Sequence, residues 1–341
     1  MKTFAKVLIG LVTLTVCRAS AQEAFAPLVT ENCVAFVHID LAKVEIDALK
    51  NEVQKFGESV FRGLGFDDGS FRATARELRI ELDKLDARIR PPFDAVTKEL
   101  GIREIAVIAD WSLIERQVIA FVAVPWKDKT TKQFETLAAL LNSGNLPLNF
   151  FGIDGFLILP LAEGSESAAE TVEEWTKEME PAPNAAIFAA LKSVDGAEVK
   201  LALTLPERLR FMAKSGGMPP DLPNEIKILL LFITQKVEWA AASLPLHGIF
   251  GGEPSKNADV LLTLKTPERA DAVQLRALLE LGIEFGANAM RFAMEQDPNI
   301  EFQPPPLFFH FLKGFLRTLL PDVEDDRLKF RLKGDLRALR G

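Results

Sequence analysis

Apolar and polar positions alternate in short blocks along this chain, and the blocks predict its elements. Residues 105–109 (Ile-Ala-Val-Ile-Ala) and 118–124 (Val-Ile-Ala-Phe-Val-Ala-Val) are apolar, β-branched runs joined by Asp110-Trp111-Ser112, the pattern of a β-hairpin. Pro125 closes the second run, Thr130 or Thr131 offers an N-cap, and Phe134, Leu137, Ala138 and Leu141 follow at helical spacing. The order strand, strand, helix then returns. Residues 237–243 and 259–265 predict two more strands. Thr266 as N-cap, Pro267 and Glu268 open a long helix running to about Gln296.

The remaining blocks extend that plan on both sides. Residues 34–40 (Val-Ala-Phe-Val-His-Ile-Asp) are apolar on both alternating faces, as a strand covered on both sides requires. A helix over 41–56 and a turn at Gly63, Gly65 and Gly69 precede a second helix. Its apolar stripe is Phe71, Ala75, Leu78, Leu82, Leu85 and Ile89, and its charged sides allow pairs such as Arg79 with Asp83 and Asp86 with Arg90. Its three heptads read as a solvated face rather than a partner-binding coiled coil. Pro91-Pro92 kink or end it before 93–100 resumes. Runs 148–151 and 156–161 flank Gly152-Ile153-Asp154-Gly155 as another hairpin, residues 165–180 form an acidic helix, and Pro181-Ala182-Pro183 is the best linker signal.

After the linker the order repeats: a strand at 198–204, helical segments from Pro206 and over 223–232, the two strands and long helix above, a helix at 307–320 and a last strand at 328–332. The expected fold class is α+β, two tandem ferredoxin-like split β-α-β (βαββαβ) units with antiparallel sheets backed by helices. The expected organisation is a signal peptide over 1–21, a first unit with its trailing acidic helix over 22–180, and a second unit over 181–341.

The amino terminus changes where the protein is expected to work. Lys2 and Lys6 precede an apolar run over 7–17 that is short for a membrane span, and Ala19-Ser20-Ala21 is a small-x-small cleavage pattern. Cleavage after Ala21 would send a mature chain to the periplasm or the exterior with no transmembrane span. A lipoprotein signal is disfavoured by Val16 ahead of Cys17. Export removes Lys2, Lys6 and Arg18 and no acid, so the mature chain is more acidic than the whole, whose formal net charge is −8. Nucleic acid and anionic lipid both need a basic footprint, which argues against them as main partners. Only Cys33 survives of two cysteines, so core burial rather than a disulfide must hold the fold.

The signal peptide, the strand at 34–40, the Ile-Arg-Glu-Ile-Ala-Val stretch at 102–107 and the closing Arg-Leu-Lys-Phe-Arg-Leu at 327–332 together resemble the DUF3352-type group of exported bacterial proteins, a family without an assigned function. The resemblance covers most of the mature chain, rests on strand and helix pattern, and implies no functional residue.

Chemistry is sparse. His-Glu-x-x-His, Cys-x-x-Cys, Gly-x-Ser-x-Gly and Gly-x-x-x-x-Gly-Lys-Ser/Thr are all absent. His38, His247 and His310 lie far apart, and His38 reads as a structural histidine. Asp322, Glu324, Asp325 and Asp326 lack the spacing of an EF-hand and read as a solvated loop. The second-half strands set Val199, Leu201, Leu203, Val260, Leu262, Leu264, Leu328, Phe330 and Leu332 against polar neighbours, which predicts one wet sheet face. Lys200, Lys265, Lys329, Arg331 and Lys333 would share it, forming a basic candidate face for a protein or small-ligand partner. The glycines at 282 and 286 read as close helix packing. The apolar helix at 307–320 could instead lie on a membrane surface. The expected function is a non-enzymatic exported binding or interaction module without a cofactor. The competing expectations are a hydrolase with a dispersed acid/base site and peripheral membrane association through 307–320.

Overall fold

The computed structural model describes residues 22–63, 68–126, 133, 135, 151–153, 155–161, 165–179, 184–194, 197–215, 224–246, 259–296, 317 and 320–332. A 3-10 segment, Gln22–Leu28, leads into β1 (Cys33–Asp40). Two helices follow, α1 (Ile46–Gly63) and α2 (Asp68–Asp94), the second passing Pro91 and Pro92 before a π turn at Ala95–Glu99. The chain continues through β2 (Glu104–Asp110), the one-turn α3 (Trp111–Ile114), β3 (Ala120–Pro125), β4 (Phe151–Ile153) and β5 (Phe156–Leu161). Then come α4 (Ser165–Glu178), α5 (Ala185–Lys192), β6 (Val199–Thr204), α6 (Glu207–Ser215), α7 (Asn224–Lys236), β7 (Trp239–Leu244), β8 (Val260–Lys265), α8 (Arg269–Gln296), β9 (Asp322–Glu324) and β10 (Arg327–Leu332).

Among the described residues the strands form one ten-stranded sheet in the order β4-β5-β3-β2-β1-β6-β7-β8-β10-β9. Read outward from the β1–β6 pair, the two sides have the same plan: a strand, a helix pair, two strands, then a short hairpin. Mixed helix and antiparallel sheet is therefore the class, but the neighbour order differs from the expected tandem ferredoxin-like units. A split β-α-β unit inserts a strand between its first two. Here β1 and β2 are direct antiparallel neighbours, with Asp40 opposite Glu104 and Phe36 opposite Ile108. The reason is the connection. One helix carries a chain to the far end of a sheet and sets up a parallel strand, whereas the packed pair α1 and α2 returns it to the end it left. The next strand must then run back antiparallel.

Several local expectations are also revised. Gly152 and Ile153 belong to β4, pairing with Leu157 and Phe156, and Gly155 takes the left-handed conformation (φ 84°) that glycine allows. The acidic run at 322–326 is a strand and a tight turn, with Asp325 at φ 53°, one of the few residue types that tolerate that region. Thr266 precedes α8 by three residues, and its hydroxyl lies 2.9 Å from the carbonyl oxygens of Glu268 and Asp326 instead of capping the helix. The helices expected near 130–141 and 307–320 lie almost wholly outside the described residues.

The chain divides into two compact units. The first runs through Leu203 and is rejoined by Ala242–Val260; the second comprises Thr204–Ala241 and Leu261–Leu332. In the first, both sheet faces are covered by its own segments. Ile39, Leu41, Ile105, Val124, Leu157 and Leu159 pack with Ile89, Phe93, Leu100 and Ile102 on the side of α2. On the other face Phe25 contacts Phe36, His38 and Phe156 at ring separations of 6.1, 6.0 and 5.5 Å, while Phe121 meets Trp175 of α4 at 5.5 Å. In the second unit Val237, Ala272, Leu275 and Leu328 form a smaller core with Leu229, Phe232 and Ile233 of α7 packed against it.

Candidate functional site

The densest group of chemical side chains in the first unit comes from three neighbouring strands. On β1, His38 and Asp40 point to one side because side chains two apart share a face. Register places Asp40 opposite Glu104 of β2, and His38 opposite Lys200 of β6. His38 Nε2 lies 3.4 Å from Glu104 Oε2, and Lys43 Nζ, one turn beyond the strand, lies 2.9 Å from Asp40 Oδ2. Just before β6, Glu198 accepts the Leu246 N–H at 2.9 Å, and its carbonyl accepts the Asp40 N–H. Burial pushes the Asp40 carboxyl above the ordinary carboxylate range; Lys43 pulls it back, while the Glu104 and Glu198 charges push it further up.

A carboxyl that keeps its proton longer beside an imidazole could exchange protons with a bound reactant. Enclosure decides against that use: His38 and Asp40 are each 1% exposed and Lys200 4%, and Phe25 lies over the imidazole edge. Little of this group was legible in advance, because His38, Asp40, Glu104, Glu198 and Lys200 are scattered along the chain until strand register collects them. The one legible sign was a histidine and an aspartate two apart in an otherwise apolar strand.

A second buried polar group fixes the β2–α3 corner. Asp110, fully buried, accepts from the Thr30 hydroxyl, from the Ser112 N–H at 2.9 Å and from the Ser112 hydroxyl, and Trp175 Nε1 donates to Ser112 Oγ at 2.9 Å. Asp110 is thus the N-cap of α3. Neighbouring Cys33 is buried, and burial together with the Asp110 charge pushes its thiol far above the usual range.

The expected basic face comes out differently at each position. Lys200 is buried, as are Thr204 and Thr263 of the face expected to be wet, while Leu203 is exposed. The alternation was real but its polar side faces inward on β6. In the second unit Lys265 Nζ donates to Asp326 Oδ2 at 2.7 Å, with Glu238 at 3.5 Å, and that ammonium holds the Asp326 carboxyl below its ordinary range. Lys329 pairs with Glu324 and Arg331 is exposed; Lys333 lies outside the described residues. The structure thus brings Lys265 and Lys329 to acidic partners from the β9–β10 hairpin and its turn.

Among the described residues no group of three or more His, Cys, Asp or Glu side chains is arranged to hold a metal ion, and no helix is long and apolar enough to cross a membrane. The second unit does expose large apolar side chains: Phe211 of α6 is 66% exposed and Ile228 of α7 54%. The scan against family models found no match to this chain, and the searches of curated proteins and of solved structures found none either.

Proposed function

We propose that this protein is an exported, non-enzymatic interaction module. The observation that carries the reading is a contrast in accessibility. In the group richest in acid/base chemistry, His38, Asp40, Glu198 and Lys200 are buried on β1 and around β6, and Glu104 of β2 exposes only 19% of its side chain, so little of the group meets solvent. Phe211 and Ile228, by contrast, expose 66% and 54% of themselves on α6 and α7, apolar side chains that a partner could cover. The twofold repeat of a helix-backed antiparallel sheet supplies a scaffold for such surfaces.

The test is crosslinking of the tagged mature protein in its exported compartment. Wild type should recover a reproducible partner, and Phe211→Glu should lose it. Recovery of nothing reproducible, together with a hydrolytic activity that disappears in Asp40→Asn, would replace this reading with the dispersed acid/base hydrolase.

A further inference from the structure

The α1–α2 hairpin is held by little besides itself. None of the described side chains from Glu45 to Arg88 is buried, although both helices carry apolar positions at helical spacing, and Leu49, Val53, Ala75, Leu78, Leu82 and Leu85 are all only partly buried. A surface helix of an ordinary domain turns such a stripe toward a core and buries several of its members completely. Among the described elements, α1 packs on α2, and α2 packs on α1 and on the π turn that follows it. The sheet face is sealed from outside this stretch, by Val44 ahead of it and by Ile89, Phe93 and Leu100 behind it. At its base the hairpin is tied across by charge. The Arg90 guanidinium donates from Nε to Asp86 Oδ1 at 2.8 Å, from Nη1 to Asp47 Oδ2 at 3.1 Å, and from Nη2 to both carboxylates. Asp47 stands in the first turn of α1 and Asp86 one turn before Arg90 on α2, so one planar fork spans the two helices. Lys50 of α1 adds ion pairs to Asp83 at 2.6 Å and to Asp86 at 3.2 Å.

We infer that residues 45–88 open and reclose as one unit while the sheet stays folded, and that Arg90 is the clasp that sets how often they do. Opening uncovers only a stripe that is already partly wet, and Val44, Ile89 and Phe93 stay behind over the sheet. The cost therefore falls well below that of unfolding the first unit. Most helical stability in water comes from packing an apolar face, so neither helix keeps its structure once the other has gone, and the two go together. Single exposed ion pairs contribute little, but a forked arginine shared by two carboxylates, one of them shared again with a lysine, is a network of the kind that does. The Arg90 guanidinium holds the Asp47 and Asp86 carboxyls below their ordinary range, as groups in such a network should be. The device is independent of the interaction-module reading. It gives the scaffold one part that can expose an apolar stripe without unfolding the rest.

Hydrogen exchange read by mass spectrometry on the whole mature chain, under conditions where exchange follows the equilibrium of opening, tests both parts. Peptides from α1 and from 72–88 of α2 should exchange through one shared opening, on the order of a hundredfold faster than β1 and β2. Arg90→Met keeps the apolar stem and removes the fork. It should speed exchange in both helices roughly tenfold, through the loss of charge-assisted hydrogen bonds, and leave β1 and β2 at their wild-type rates. Arg90→Lys should fall between the two. Helices as protected as β1 and β2 in the wild type, or α1 and α2 opening at different rates, would overturn the unit. Arg90→Met with no effect on the helices, or with an equal effect on β1 and β2, would overturn the clasp. The first comparison needs no variant, so a misfolded Arg90→Met leaves it intact. Asp47→Ala then carries the second: its side chain is 75% exposed, its loss takes away one arm of the same fork, and it too should speed exchange in both helices alone.

Discussion

Asp40 shows how a single residue carries pH dependence through burial. Its folded carboxyl titrates above its unfolded one, so the folded state holds the proton more tightly. The charged form is therefore penalised in the fold at neutral pH, and that penalty fades as pH falls through the raised value toward the unfolded value. Asp40→Asn keeps the shape and cannot ionise; Lys43, 38% exposed at its side chain, can return to water. Urea midpoints measured from neutral to mildly acidic pH should lose the component that makes wild type relatively more stable on acidification. An Asn variant with the wild-type pH slope would place that component elsewhere. At Asp110 the effect is structural instead. Asp110→Ala strands the Thr30 and Ser112 donors in a dry corner and should cost about 3 kcal/mol in urea unfolding. Ser112→Ala, which removes the hydroxyl that donates to Asp110 and accepts from Trp175 but leaves the Thr30 and Ser112 N–H bonds to Asp110, should cost less.

At the scale of elements, most strands and helices were legible because their periodicities are local, and the failures were failures of pairing. Residues 34–40, 105–109 and 328–332 each predict a strand within a residue or so of the one found. Their neighbours depend on how many helices intervene, which periodicity does not weigh: both helices between β1 and β2 were visible, yet a single-crossover topology was expected from them. Which face of β6 is inside was misread for a similar reason. Val199, Leu201 and Leu203 look like the core side, but β6 lies beside β1, where a partly polar face is roofed by Phe25 and α5. Arg210 illustrates an element contact that no pattern announces. A guanidinium that bonds the end of α6's lead-in, the last turn of α7 and the start of β7 joins three elements through backbone carbonyls. Burial lowers its basicity without neutralising it. Arg210→Met should cost about 2 kcal/mol, and Arg210→Lys should restore less than half, because one compact ammonium cannot span the three acceptors. Equal stability of the Lys variant and wild type in thermal or urea melts would show that charge, not the planar fork, is what the site uses.

For the whole molecule, the amino terminus joins the expected export to the fold. Gln22–Leu28 roofs one sheet face, and Phe25, Leu28 and Val29 are all but inaccessible, so a cut placed after Phe25 would remove part of the core. A cut after Ala21 spares it. If the chain is cut at the expected site its mature form begins at Gln22 and keeps Phe25, which intact-mass measurement reads directly. A chain begun at Pro27 loses the Phe25 ring from against Phe36, His38 and Phe156, a loss of about 4 kcal/mol on the scale of buried phenylalanine truncations. Cys33 provides the readout. Its buried, strongly raised thiol is inert in the fold and becomes an ordinary reactive thiol only when the first unit opens. With labelling limited by opening, the chain begun at Pro27 should react roughly a thousandfold faster than the one begun at Gln22. Equal labelling rates would mean that Phe25 only covers a face that closes without it, and the position of the cut would then be free of the fold.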